Sequence, residues 1–136
     1  LVKKGYIDII IGNLLEHYEK VPVPPTPNIG IIVSALNYID DHYRESLSLD
    51  RLADEFGYNK YYFSRLFNKY IGENITNYIN IVRLQHFMKK SKDEEPPSIA
   101  ELAFSCGFDS LTTFYRYFNK IYDHNPKAVL NANKDV

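Results

Sequence analysis

Ser48-Leu-Asp-Arg-Leu-Ala-Asp-Glu-Phe-Gly-Tyr-Asn-Lys-Tyr-Tyr-Phe-Ser-Arg-Leu-Phe-Asn-Lys69 has a second version further along the chain. It is Ser98-Ile-Ala-Glu-Leu-Ala-Phe-Ser-Cys-Gly-Phe-Asp-Ser-Leu-Thr-Thr-Phe-Tyr-Arg-Tyr-Phe-Asn-Lys120. An offset of 50 places Ser48, Leu52, Ala53 and Gly57 on Ser98, Leu102, Ala103 and Gly107. After the glycine, an offset of 51 places Phe63, Arg65, Phe67, Asn68 and Lys69 on Phe114, Arg116, Phe118, Asn119 and Lys120. One residue has been inserted at the turn, and the order is otherwise kept. Each version reads as helix, tight turn, helix. Ser48 and Ser98 are suited to cap a helix start, and Ser98-x-x-Glu101 has the form of a capping box. Leu49, Leu52, Ala53 and Phe56 recur at helical spacing, as do Ile99, Leu102, Ala103 and Cys106. Gly57 and Gly107 supply the backbone freedom needed to end one helix and begin the next. The chain is therefore expected to be all-α, with two helix-turn-helix units whose second helices are of the kind that enters a DNA major groove. A pair of helical hairpins that bind another protein without touching nucleic acid is the alternative.

The flanking segments extend this layout. Residues 5–19 carry Tyr6, Ile9, Ile10, Leu14 and Tyr18 along one side of an extra N-terminal helix. Val21 to Pro27 contains four prolines, which forbid a helix and favour an extended connector. The expected division is a terminal helix of an N-terminal domain at 1–20, a linker at 21–28, the tandem unit at 29–130 and a polar tail at 131–136. A supporting helix is expected from 29 to 45, with Ile32, Ala35, Leu36, Ile39 and Tyr43 as its apolar stripe. Between the units, Ile75, Tyr78, Ile79, Val82 and Phe87 mark a long linker helix that sets their separation. The chain opens on Leu1 and reads as part of a longer protein. Residues 5–19 would then complete that protein's missing domain, fold back on the region of residues 29–45, or pair with a second copy as a homodimer contact.

Charge is distributed unevenly, although the net value is only −1. Residues 40–55 hold six acids and two bases, whereas 59–70 hold Lys60, Arg65 and Lys69 with no acid. Arg116 and Lys120 likewise lie in an acid-free stretch. The acids fall on the supporting elements and the cations on the second helices, which permits a modest counterion-release contribution. A single cysteine excludes an internal disulfide and fits a reducing cytoplasm. No apolar run is long enough for a membrane span. The histidines are scattered, Cys106 has no thiolate neighbour, and no glycine-rich phosphate loop is present, so neither a metal, a cofactor nor an enzyme is expected.

Taken together, Leu52-Ala53, Gly57, Phe63-Ser64-Arg65-Leu66-Phe67, Gly72, Arg83-Leu84, Ile99-Ala-Glu-Leu-Ala103, Gly107-Phe108, Phe114, Arg116, Phe118 and Pro126 resemble the DNA-binding domain of the AraC family of bacterial transcription regulators. The likeness covers about residues 30–130. It departs at Asn59, where serine is usual, at Asp123, where glycine is common, and at Asn125, which replaces Thr or Ser. The resemblance implies about seven helices, with two helix-turn-helix subdomains joined by the long helix. It also implies double-stranded DNA as partner, RNA polymerase as a further possible contact, and an effector bound by a domain outside this chain. On it, Tyr61, Ser64 and Arg65 match base-facing positions, and Thr112, Thr113 and Arg116 form the corresponding surface of the second unit. Arg65 suits guanine, whose O6 and N7 accept its paired donors. Lys60, Tyr62, Asn68, Lys69, Ser110 and Lys120 are candidates for backbone contact. Phe63, Leu66, Phe67, Phe114, Tyr117 and Phe118 are expected to face the core.

Overall fold

The structure is a computed structural model that describes residues 27–93, 98–123 and 125–128. The helix expected at 5–19, most of the proline connector and the 131–136 tail lie outside the described residues. Six α-helices follow in order: α1 (Pro27–His42), α2 (Leu49–Phe56), α3 (Lys60–Ile71), α4 (Ile75–Asp93), α5 (Ile99–Ser105) and α6 (Leu111–Ile121). A further helical turn occupies 126–128. α1 begins at Pro27, inside the stretch expected to be linker. Proline is well tolerated in the first helical turn, where its missing N–H has no intrahelical partner to lose.

The starts and stops of the repeat follow from its caps. Ser48 Oγ accepts from Arg51 N at 3.1 Å and Ser98 Oγ from Glu101 N at 3.0 Å. Gly57 closes α2 in the left-handed region at φ 72°. The two asparagines that depart from the family pattern also cap. Asn59 Oδ1 accepts from Tyr61 N at 2.9 Å and from Tyr62 N at 3.3 Å. Asn125 Oδ1 accepts from Ala128 N at 2.8 Å, just ahead of buried Pro126. Asparagine accepts an amide proton at a helix start as well as serine does, so these changes preserve the local structure.

α1 ends at His42, short of the expected 45. Ile32, Ala35, Leu36 and Ile39 therefore lie on it and Tyr43 just beyond it, and all five are buried, as are Leu52, Ala53 and Ala103. The small alanines let each pair of helices approach closely. The long helix joins the two units as expected, and it is also a shared core element: α4 touches α1 and α3 of the first unit and α5 and α6 of the second. Ile79, Asn80, Ile81, Val82, Arg83 and Leu84 are buried consecutively, so all sides of its middle face protein. A single apolar cluster runs from Ile32 in α1 through α4 to Phe114, Phe118 and Tyr122.

Two polar connections cross this core. Arg83 Nε and Nη2 donate to the carbonyls of Tyr43 and Glu45, each at 2.9 Å, and Nη1 donates to Asn80 Oδ1 at 3.1 Å. Burial pushes the Arg83 pKa below the ordinary guanidinium range, and the attraction of Asp109 opposes that shift. Tyr117 Oη donates to Asn77 Oδ1 at 2.5 Å, tying α6 to the first turn of α4. Asn77 Nδ2 in turn donates to Glu73 at 2.8 Å. These bonds satisfy groups that burial would otherwise penalise.

Tyr122 makes alkaline stability a test of this packing. Its ring lies 4.7 Å from that of Phe118, and the residue is 8% exposed. Burial pushes the hydroxyl from 10.0 up to about 12. The unfolded chain therefore releases this proton near pH 10, while the folded chain keeps it until near pH 12. The contribution is complete below the unfolded value and is lost as pH rises through the folded one. It corresponds to about 2–3 kcal/mol. Urea midpoints should fall more steeply between pH 9.5 and 11.5 in the natural protein than in Tyr122→Phe; parallel curves would refute the assignment.

Candidate nucleic-acid interface

α3 sorts its side chains into two sets. Phe63, Leu66 and Phe67 turn inward with 0, 6 and 0% exposure, as the helical spacing predicts. Lys60, Tyr61, Tyr62, Arg65, Asn68 and Lys69 are exposed, and Ser64 is half-buried. Tyr61 is 67% exposed, which leaves most of its ring facing solvent. Tyr62 instead stacks on Tyr58, with ring centroids 5.7 Å apart.

α6 repeats the arrangement. Phe114, Tyr117, Phe118 and Ile121 are buried, while Thr112, Arg116, Asn119 and Lys120 are exposed. Ser110 and Thr113 are occupied in the helix start. Ser110 Oγ accepts from Thr113 N and donates to Thr113 Oγ1, both at 3.1 Å. Both side chains are half-buried, so their hydroxyls already have local partners. Tyr115 was not among the expected site residues. It is 39% exposed, between Thr112 and Arg116 on the outer side of α6. The offset of 51 that maps Arg65 onto Arg116 also maps Ser64 onto Tyr115, and that signal was available in the sequence.

The exposed cations differ in their surroundings. Lys60 Nζ lies 3.5 Å from Asp50 Oδ1 on α2, so part of its charge is answered locally. Arg65, Lys69, Arg116 and Lys120 form no ion pair among the described residues. Aromatic faces support three of them. Lys69 lies over Tyr70 at 5.3 Å, and Arg116 and Lys120 lie over Tyr117 at 5.4 and 5.6 Å. Such contacts orient a cation without neutralising it. α2 contributes exposed Asp50, Asp54 and Glu55, which concentrates acid on the supporting helix and base on α3.

Residues with other chemical potential have structural roles. Cys106 is fully buried, and burial pushes its thiol pKa upward, so it packs as a small apolar side chain. His86 pairs with Asp40 at 2.9 Å and stacks on Tyr43 with centroids 3.8 Å apart. His42 Nδ1 lies 2.9 Å from the Tyr38 carbonyl. Among the described residues, no three His, Cys, Asp or Glu side chains are grouped to hold a metal. No described helix is long and apolar enough to cross a membrane.

Two capped helix-turn-helix units around one central helix, each presenting a cationic second helix, define a tandem helix-turn-helix domain rather than a catalytic fold. Residues 52–132 match the helix-turn-helix domain family, and the chain belongs to that family. The multiple antibiotic resistance protein MarA of Escherichia coli (strain K12) is 33% identical over 95 residues, covering 70% of this chain and 74% of MarA. Regulatory protein PocR of Salmonella typhimurium is 33% identical over 104 residues, covering 76% of this chain. The aligned part spans only 34% of PocR. A transcriptional regulator of Chromobacterium violaceum, described as an AraC-type DNA-binding domain protein, superposes with a TM-score of 0.67 at 24% identity. That superposition covers 76% of this chain and 91% of the other.

Proposed function

We propose that this chain binds double-stranded DNA sequence-specifically, with α3 and α6 entering adjacent major-groove segments, and that it is the DNA-binding part of a transcription regulator. The observation that carries this reading is the pair Arg65 and Arg116. Both are exposed at equivalent positions of the repeat, and neither has an ion-pair partner among the described residues. Arginine in such a place can present two parallel donors to guanine O6 and N7. Tyr61 and Thr112 offer apolar contact to thymine methyl groups beside them, and Ser64 and Thr113 complete the base-facing set by family likeness. Lys69 and Lys120, with Asn68, Tyr62 and Lys60, serve the phosphates that position the protein, and Ser110 joins them only by releasing its donor bond to Thr113. Lys60 must first leave Asp50, so its net contribution is the smallest of the cations. Residues 1–20 are assigned to an N-terminal sensing or dimerising domain, which would carry any effector site.

Hydroxyl-radical footprinting tests the docking. One chain should protect two patches about 34 Å apart along the duplex axis. One short patch at saturating protein would refute simultaneous entry. A helical protein-binding module is the competing reading, favoured by Phe104 on α5, an aromatic ring that is 49% exposed. Duplex affinity that is absent, or indifferent to salt, would favour it.

The side chains divide the work in a measurable way. Arg65→Ala and Arg116→Ala should each lose about 1–3 kcal/mol of discrimination, at different base positions. Lys69→Ala should weaken all duplexes evenly and lower the salt slope by about one. Affinities for a panel of single-base variants, measured by fluorescence anisotropy, would distinguish the two behaviours. An arginine variant with an unchanged order of preference would remove that residue from the reading surface.

A further inference from the structure

Arg83 stands in the middle of α4, but its side chain serves the end of another helix. Beyond His42 the chain leaves α1, and the carbonyls of Tyr43 and Glu45 turn toward the guanidinium. Asn80, one turn earlier on α4, holds the remaining arm of the fork. The second unit reaches the same point. A Cβ at Gly107 would lie 2.3 Å from the Tyr43 carbonyl oxygen, 2.9 Å from Arg83 Nε and 3.0 Å from Arg44 Cα. The turn between α5 and α6 therefore rests directly on the end of α1 and on the guanidinium.

We infer that Arg83 is a positioning residue for DNA docking: its hydrogen bonds lock the end of α1 against α4, the turn before α6 rests on that locked corner, and α6 is thereby fixed relative to α3, which sets the spacing between the two DNA elements the chain accepts. This inference rests on the proposed docking of both helices. Apolar contacts between α4 and the α5–α6 pair are non-directional and tolerate small rotations. Hydrogen bonds from a rigid planar fork are directional and hold the end of α1, the surface on which the α5–α6 turn rests, in one place. A base-pair step advances about 3.4 Å along the duplex, so a small rotation about α4 would decide which spacings fit. Asp109, in the same turn, adds an attractive charge from the second unit's side.

Two measurements test the inference independently. In the first, Glu55→Cys on α2 and Glu101→Cys on α5, both exposed, carry spin labels in the absence of DNA. Cys106 is buried and should not be labelled. The label-to-label distance distribution should be narrow with Arg83 present, broad in Arg83→Gln and intermediate in Arg83→Lys, which keeps one donor group. In the second, duplexes are selected from a randomised library by the natural chain, then rebuilt with one base pair added between their two elements. The natural chain should lose about tenfold or more in affinity, because one helix can no longer engage. Arg83→Gln should lose less than about threefold while keeping its affinity for each element alone.

An unchanged distance distribution, or an undiminished spacing penalty in Arg83→Gln, overturns the inference. If Arg83→Gln does not fold, Arg83→Lys carries both comparisons by the same criteria. If the natural chain selects only single elements, the two-helix docking reading fails and the spacing role fails with it. The label distances then still show whether Arg83 holds the two units together.

Discussion

Gly107→Ala should destabilise the protein by about 2–5 kcal/mol, beyond the effect of the same change at Gly57. The two glycines occupy corresponding turns, and both have positive φ, 100° and 72°. At Gly57 a Cβ meets nothing within 4 Å, so only the backbone preference is lost, about 1–2 kcal/mol. At Gly107 the new carbon meets the Tyr43 carbonyl at 2.3 Å, with backbone behind it. The turn must move away, at an overpacking cost of about 1–3 kcal/mol in addition to the strain. Urea titration of both variants provides the comparison. Equal losses would mean that the close approach at Gly107 contributes nothing.

Phe87→Ala should have an effect of similar size, about 3–5 kcal/mol. Phe87 is fully buried on α4, with its ring centroid 4.7 Å from Phe114 and 6.3 Å from Phe118 of α6. Truncation removes the apolar transfer energy, leaves a cavity and breaks two aromatic contacts. Domains of this size have only about 5–15 kcal/mol of total stability, so the variant should be partly unfolded at moderate temperature. Phe104→Ala is the matched control. That ring is 49% exposed, and its loss should stay within about 0.5 kcal/mol. A small effect at Phe87 would show that the cavity collapses or that the ring is not shared between α4 and α6.

These variants also show what a sequence carries locally and what it does not. The caps at Ser48, Asn59 and Ser98 join groups two or three residues apart, so residue type and spacing reveal them. The inward sets on α3 and α6 follow equally from a period of 3.6 residues. Arg83, by contrast, bonds to Tyr43 across 40 positions, and Tyr117 bonds to Asn77 across the same interval. No local pattern encodes such meetings. For this reason the two turn glycines look equivalent in the sequence, and the linker role of α4 is legible there while the burial of its middle on all sides is not. The site was legible to the same degree. The repeat located the outward positions, but Lys60's partner on α2 and the prior engagement of Ser110 and Thr113 depend on side-chain geometry. Tyr115 was overlooked because its neighbours are core aromatics, although the repeat register marked it as outward.

The single cluster running through α4 has a consequence for inheritance. The chain carries the record of a duplicated unit, but the copies have ceased to be separable pieces. Neither can be exchanged for a unit from another protein unless the newcomer also fits its side of α4. A substitution accepted in one copy therefore limits which substitutions the other can accept. Changes are most readily accepted on the outer surfaces of α3 and α6, where residues can change without disturbing the packing that both copies share.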